Sequence, residues 1–212
     1  DTSASWQLLG KTPLDSIRMP ASSCYRLRFE KPEYETVYAV TMTSDDTLSR
    51  KLFRLGTVPP GMVYVEGYWD EVKDTFEKDK GFFLDKLEVT NRQYKEFVDN
   101  GGYRNREYWK HEFIKDRKKL TWEQAMAEFT DETGRPGPST WEAGDYPDGQ
   151  DEYPVSGVSW YEAAAYAEYA GKELPTGDHW DSGRGFYNLG TFELFHPKIY
   201  PLSNFRGKGT DR

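Results

Sequence analysis

The chain has 212 residues, a formal net charge of -8 and 16% aromatic residues, seven of them Trp and fifteen Tyr. An acidic balance excludes the basic face that nucleic-acid binding needs, and no apolar run approaches the ~18 residues that would span a membrane. With a mean hydropathy of -0.87, aliphatic side chains are few and rings must carry much of the core.

The chain opens in polar residues (DTSAS), as an excised piece of a longer protein would. Gly10-Lys11-Thr12-Pro13 reads as a turn. A phosphate-loop reading fails because Ser5 stands where the first glycine of that motif belongs. Next, Tyr25, Leu27 and Phe29 alternate with Arg26, Arg28 and Glu30, which predicts a half-buried antiparallel strand. Pro32 ends it, and YETVYAVTM supplies a partner. Residues 44–56 (SDDTLSRKLFRLG) read as a hinge, and Val58-Pro59-Pro60-Gly61 as a stiff linker. The boundary falls between residues 1–56, a small β module, and residues 57–212, a second domain.

In the second domain MVYV is a short strand, and residues 69–80 form a charged loop or exposed hairpin. Phe82 to Val89 is a strand leading into a helix. Thr90 and Gln93 there have capping-box spacing, Tyr94, Phe97 and Val98 form a buried stripe, and Gly101-Gly102 ends the element. Glu88, just before that cap, reads as a buttress of the helix start, since a lone carboxylate lacks a catalytic partner. The cluster from Lys115 to Lys119 reads as solvated. Thr121 and Gln124 repeat the cap spacing, with Trp122, Ala125, Met126 and Phe129 as the apolar face. The stretch DETGRPGPSTWEAGDYPDGQDEYP is too rich in Gly, Pro and Asp for regular structure.

The strongest pattern is PVSGVSWYEAAAYAEYAGKELPTGDHW, residues 154–180. Ser159 is placed to cap a helix, with Glu162 at the third helical position. Trp160, Ala163, Ala164 and Ala167 lie at i, i+3, i+4, i+7 and are expected to face inward. Gly171 stops the helix as a left-handed cap, and Thr176 caps the next turn before Trp180.

V-S-W-x-x-A-x-x-Y-A-x-x-A-G-K-x-L-P-T-x-x-x-W resembles the central signature of the formylglycine-generating enzyme (sulfatase-modifying factor) family. GMVYVEGYW from Gly61, FFLDKLEVTNRQYKEFVDNGGY from Phe82 and the W-x-x-x-x-Y-P pattern at Trp141 to Pro147 agree with it, in the family's order. The resemblance covers the N-terminal part of the family's domain. It implies an α+β, C-type-lectin-like fold with short helices on irregular sheets. GKTPL and the charged strand resemble a PEGA-like β-sandwich module. The ending PLSNFRGKG resembles the variant in bacterial membrane receptor serine/threonine kinases, which implies a membrane-anchored, extracytoplasmic sensor as parent.

The resemblance also sets the expected chemistry. Formylglycine generation uses a cysteine pair that binds copper, since soft sulfur holds Cu(I). Cys24, the chain's single cysteine, lies in the β module and does not match that pair. No catalytic residue and no cofactor is therefore assigned within the chain. His111, His179 and His196 lack metal-ligand spacing, and the iron ligands of the ergothioneine-synthase branch come largely from a separate helical domain. His179 reads as a packing or hydrogen-bonding residue. Asp85 with Glu88, and Asp178 with Asp181, read as solvated carboxylates. For metal, the resemblance implies calcium, opened by Asn204 and the carbonyl of Phe205, with further acidic ligands beyond Arg212. Two ligands alone bind a hard cation weakly, and the site is expected to be empty in this chain.

Three functions follow from these residues: a non-catalytic sensor or binding portion of a receptor kinase taking a protein or small ligand, a copper-dependent formylglycine-generating oxidase, and a C-type-lectin-like ligand binder. The chain by itself is expected to be marginally stable.

Overall fold

The computed structural model describes residues 5–18, 20, 24–42, 48–70, 75–77 and 81–183. The chain divides into two compact units, Asp1–Pro60 and Gly61–Arg212.

In the first unit β1 (Cys24–Phe29) pairs antiparallel with β2 (Val37–Met42), placing Phe29 opposite Val37 and Leu27 opposite Ala39. Tyr25, Leu27 and Phe29 are half-buried while Arg26 and Arg28 are exposed, the alternation a one-sided ribbon requires. The returning chain bridges Tyr34 to Arg54, and the Gly56 amide donates to the Glu35 carboxylate at 3.1 Å.

The second unit begins with β3 (Met62–Val65), which pairs antiparallel with β6 (Phe82–Asp85) around a hairpin of β4 (Tyr68–Asp70) and β5 (Thr75–Glu77). Then come α1 (Asn91–Asp99), a 3-10 turn (Arg106–Tyr108), and a tight hairpin of β7 (Ile114–Lys115) and β8 (Lys118–Lys119). They are followed by α2 (Trp122–Glu128), an irregular segment, α3 (Trp160–Tyr169) and α4 (Gly177–Gly183). This is a mixed α/β architecture of short helices and small antiparallel sheets.

The helices are short because each is delimited locally. Thr90/Gln93, Thr121/Gln124 and Ser159/Glu162 all close as capping boxes, with side chain to amide and amide to side chain both made. At the other end of α3, Gly171 adopts φ 66°, and Lys172 N donates to the Ala167 carbonyl at 2.8 Å. That is the left-handed stop expected of glycine.

The core is aromatic. Tyr94 and Phe97 from α1, Tyr103, Trp109, Phe113, Trp141, and the small Ala125 and Ala165 form one buried cluster. Tyr94 stacks on Tyr166 at 5.3 Å, and Trp109 on Phe129 at 5.3 Å. Alanines on α3 let it approach closely enough for these rings to meet. A side chain as completely buried as Phe97 (0% exposed) contributes about 1.5–3 kcal/mol by burial.

The buried face of α3 differs from the expected stripe. Ala164, Ala165 and Ala167 are buried, but so is Glu162, and Trp160 is 56% exposed. The reason is electrostatic. The Glu162 carboxylate must turn inward to meet the Ser159 amide and a buried tyrosine, and that rotates Trp160 at the first helical position out to the surface. There its ring lies edge-on to His111 at 4.6 Å.

Candidate functional site

Among the described residues, three buried polar side chains organise the second unit: Glu162, Asp131 and Asn91. Glu162 is 3% exposed. Its Oε2 accepts from Ser159 N at 2.7 Å and its Oε1 from the Tyr103 hydroxyl at 2.6 Å. The Tyr103 oxygen in turn lies 3.2 Å from the Tyr94 hydroxyl. Burial pushes the Glu162 carboxyl above its ordinary value, against the pull of the bonds from Tyr103 and Ser159. Burial also drives the Tyr103 phenol far up, and the negative charge of Glu162 adds to it.

Asp131 follows α2 and holds the irregular segment. Its Oδ1 accepts from Thr133 N at 2.8 Å, Thr133 Oγ1 at 2.8 Å and Arg135 N at 2.9 Å, while Oδ2 accepts from Gly144 N at 2.6 Å. Burial opposes its charge, but these donors outweigh it and hold the carboxyl below the usual carboxylate range. Asn91, the first residue of α1, donates to the Gln150 carbonyl at 2.9 Å and accepts from the Trp141 indole at 3.2 Å. The segment so fixed carries Trp141, Tyr146 and Pro147, and it returns to α1 through Val155 N to Val89 O at 2.9 Å.

A shallow depression lies beside α3, lined by Tyr108, Lys110, His111, Phe113 and Tyr161. Tyr161 Oη accepts from Ile114 N at 2.9 Å, tying the β7–β8 hairpin to α3. In that hairpin Lys115 pairs with Glu128 and Lys119 with Glu112.

Asn204 and Phe205, with His196, lie outside the described residues. His179 Nδ1 accepts from Thr176 N at 3.4 Å, His179 N donates to Thr176 Oγ1 at 3.2 Å, and the imidazole packs on Phe82 at 4.5 Å. Histidine thus takes the place of Glu or Gln in a reciprocal cap on α4. Glu88 is exposed, and the start of α1 is closed by Thr90 and Gln93, so the buttress assigned to Glu88 is a correction. Asp85 is corrected as well: it pairs with Lys172 at 2.7 Å, joining β6 to the end of α3. Among the described residues no three His, Cys, Asp or Glu side chains gather as a metal site would. No helix among them is long and apolar enough to cross a membrane.

Asp131, Asn91 and Tyr103 are given no role by the sequence-based expectations. Asp131 was legible in principle from D-x-T-G just after an apolar helical run, an Asx-turn signal. Tyr103 carried no local signal, because its partner is 59 positions away.

Residues 49–204 match the Sulfatase-modifying factor enzyme 1-like domain family. The chain belongs to that family. Within it, the chain is 31% identical over 107 residues to the Hercynine oxygenase of Mycolicibacterium thermoresistibile, covering 47% of this chain and 21% of that protein. It is 32% identical over 111 residues to the Formylglycine-generating enzyme of Mus musculus, covering 48% and 30%. It is 32% identical over 117 residues to the Serine/threonine-protein kinase pkn1 of Chlamydia pneumoniae, covering 55% and 16%. The matches to the hercynine oxygenases span about a fifth of those proteins' length, 21% to 22%. The signature residues Ser159, Gly171 and Thr176 of this sulfatase-modifying-factor domain all sit at helix ends, where they set local geometry.

Proposed function

We propose that this chain is the non-catalytic binding portion of a bacterial receptor kinase, built on a sulfatase-modifying-factor domain. The observation that carries the reading is how the three buried polar side chains are used. Glu162, Asp131 and Asn91 spend their hydrogen bonds on a helix cap, a loop and the loop's return to α1. A carboxylate whose oxygens are filled by amides and hydroxyls of its own chain has none left for a substrate proton, which a general acid or base must reach. The similarity to a serine/threonine-protein kinase over 55% of this chain supports the same parent architecture. In this reading residues 1–56 are a PEGA-like module and the second unit presents a rigid recognition surface for a protein or small ligand outside the cytoplasm. Calcium, held in part by Asn204 and Phe205, belongs to the complete domain.

The oxidase reading is favoured by the formylglycine-generating enzymes among the relatives. One experiment separates the two. The full-length parent is purified and assayed for copper-dependent oxygen consumption on a cysteine-containing peptide, alongside phosphoryl transfer from ATP. The binding reading expects phosphoryl transfer without peptide oxidation. Stoichiometric conversion of the peptide cysteine to an aldehyde overturns it.

A further inference from the structure

The Tyr103–Glu162 pair has the geometry of a proton-coupled redox couple, a chemistry separate from ligand binding. We propose that Tyr103 is a redox-active tyrosine, oxidised by one electron through Trp109 and Trp122, with Glu162 as its internal proton acceptor.

Three observations carry this. First, Tyr103 is 5% exposed and its hydroxyl donates to Glu162 Oε1 at 2.6 Å, within the ~2.5–2.7 Å range of a phenol bonded to an ionised carboxylate. Proton transfer along such a bond needs no movement of heavy atoms. Second, the Tyr103 ring is 5.6 Å from Trp109, and Trp109 is 6.0 Å from Trp122, centroid to centroid. Trp122 is half-buried, with the Arg106 guanidinium 5.0 Å over its face. Oxidisable rings therefore run without a gap from the core toward solvent. Third, the other titratable group at the couple is Tyr94, whose hydroxyl lies 3.2 Å from that of Tyr103 and which stacks on Tyr166. The single Tyr94 proton has two acceptors within reach, the Tyr103 oxygen at 3.2 Å and the Glu162 backbone carbonyl at 3.5 Å, so Tyr94 can donate to the Tyr103 oxygen once the Tyr103 proton has moved to Glu162. Burial raises the proton affinity of Glu162, which suits a base.

The step balances as follows. A soluble one-electron oxidant accepts one electron from the Tyr103 phenol by way of Trp122 and Trp109. The phenolic O–H bond breaks, its proton moves to Glu162 Oε1, and the products are a neutral tyrosyl radical, a protonated carboxyl and the reduced oxidant. Return of one electron from a reductant reverses both transfers. Burial of Tyr103, 5% exposed, shields the radical from water and lengthens its life.

The test is flash-quench oxidation of the chain with a ruthenium polypyridyl complex, read by transient absorption and by electron paramagnetic resonance on frozen samples. The expected result is a long-lived tyrosyl signal whose formation is independent of buffer-base concentration and slowed in deuterium oxide. Tyr103→Phe should lose that component and keep the short-lived signal of exposed tyrosines. Glu162→Gln, which retains hydrogen-bonding capacity, should also lose it. Persistence of the long-lived component in Tyr103→Phe overturns the proposal, as does a wild-type signal whose formation follows buffer base throughout. The second readout needs no variant, so a variant that fails to fold does not protect the idea.

Discussion

Replacing Glu162 separates the two jobs its carboxylate performs. In Glu162→Ala the Ser159 amide loses its reciprocal cap, at about 0.5–2 kcal/mol, and the buried Tyr103 hydroxyl loses its acceptor, at about 1–3 kcal/mol. The two act on separate atoms, Oε2 and Oε1, so the expected loss is roughly 1.5–5 kcal/mol. Glu162→Gln should behave differently, because α1 and α2 already use Gln93 and Gln124 in the same cap. The amide oxygen can accept from Ser159 N and the amide nitrogen can donate to the Tyr103 oxygen, so the cost should stay below about 1 kcal/mol at neutral pH.

The pH dependence has a definite sign. Burial raises the carboxyl of Glu162 in the folded state, so the folded chain binds this proton more tightly than the unfolded chain. The stability associated with it is fully present below the unfolded value, about 4.3, and is lost as pH rises through the folded one. The wild type should therefore lose ground to Glu162→Gln as pH rises from about 4 toward neutral. Urea unfolding followed by tryptophan fluorescence at several pH values measures both effects. Gln as costly as Ala, or a wild-type-to-Gln difference flat across that range, would refute the reasoning.

Gly157 has φ +74°, and an added Cβ would meet the Thr140 backbone nitrogen at 2.7 Å. Gly157→Ala should cost roughly 2–4 kcal/mol from left-handed strain plus overpacking, whereas Gly134→Ala, with φ +82° and open space, should cost only about 1–2 kcal/mol; equal melting temperatures would contradict this. Asp131→Asn sets an amide N–H against Gly144 N, so the segment after α2 should become a preferred site of limited proteolysis at neutral pH, and an unchanged cleavage pattern would count against the anchor role. Because the Asp131 carboxyl is held below the usual range, the wild type's advantage over the Asn variant should be present above about pH 4 and fade as pH falls through the folded value. Under the proposed calcium reading, in which this chain supplies only Asn204 and the Phe205 carbonyl, adding about 1 mM calcium should leave its melting temperature unchanged, because two ligands hold a hard cation weakly; a rise with calcium would contradict that reading.

The sequence by itself determined what is decided within a few residues. The caps at Thr90, Thr121 and Ser159, the Gly171 stop and the alternation of β1 are short-range hydrogen-bonding and steric matters, and all were legible. So was family membership, because those local devices are the signature. Tertiary structure decided the rest. Glu162 turns inward because Tyr103, 59 positions away, offers a hydroxyl, and that choice moves Trp160 out of the core. Asp85 is drawn from solvent by Lys172 across 87 positions, and Asn91 takes its meaning from Trp141, 50 positions on. A side chain's charge and hydrogen-bonding capacity are written at its own position, but the partner that uses them is chosen only when packing brings distant residues together.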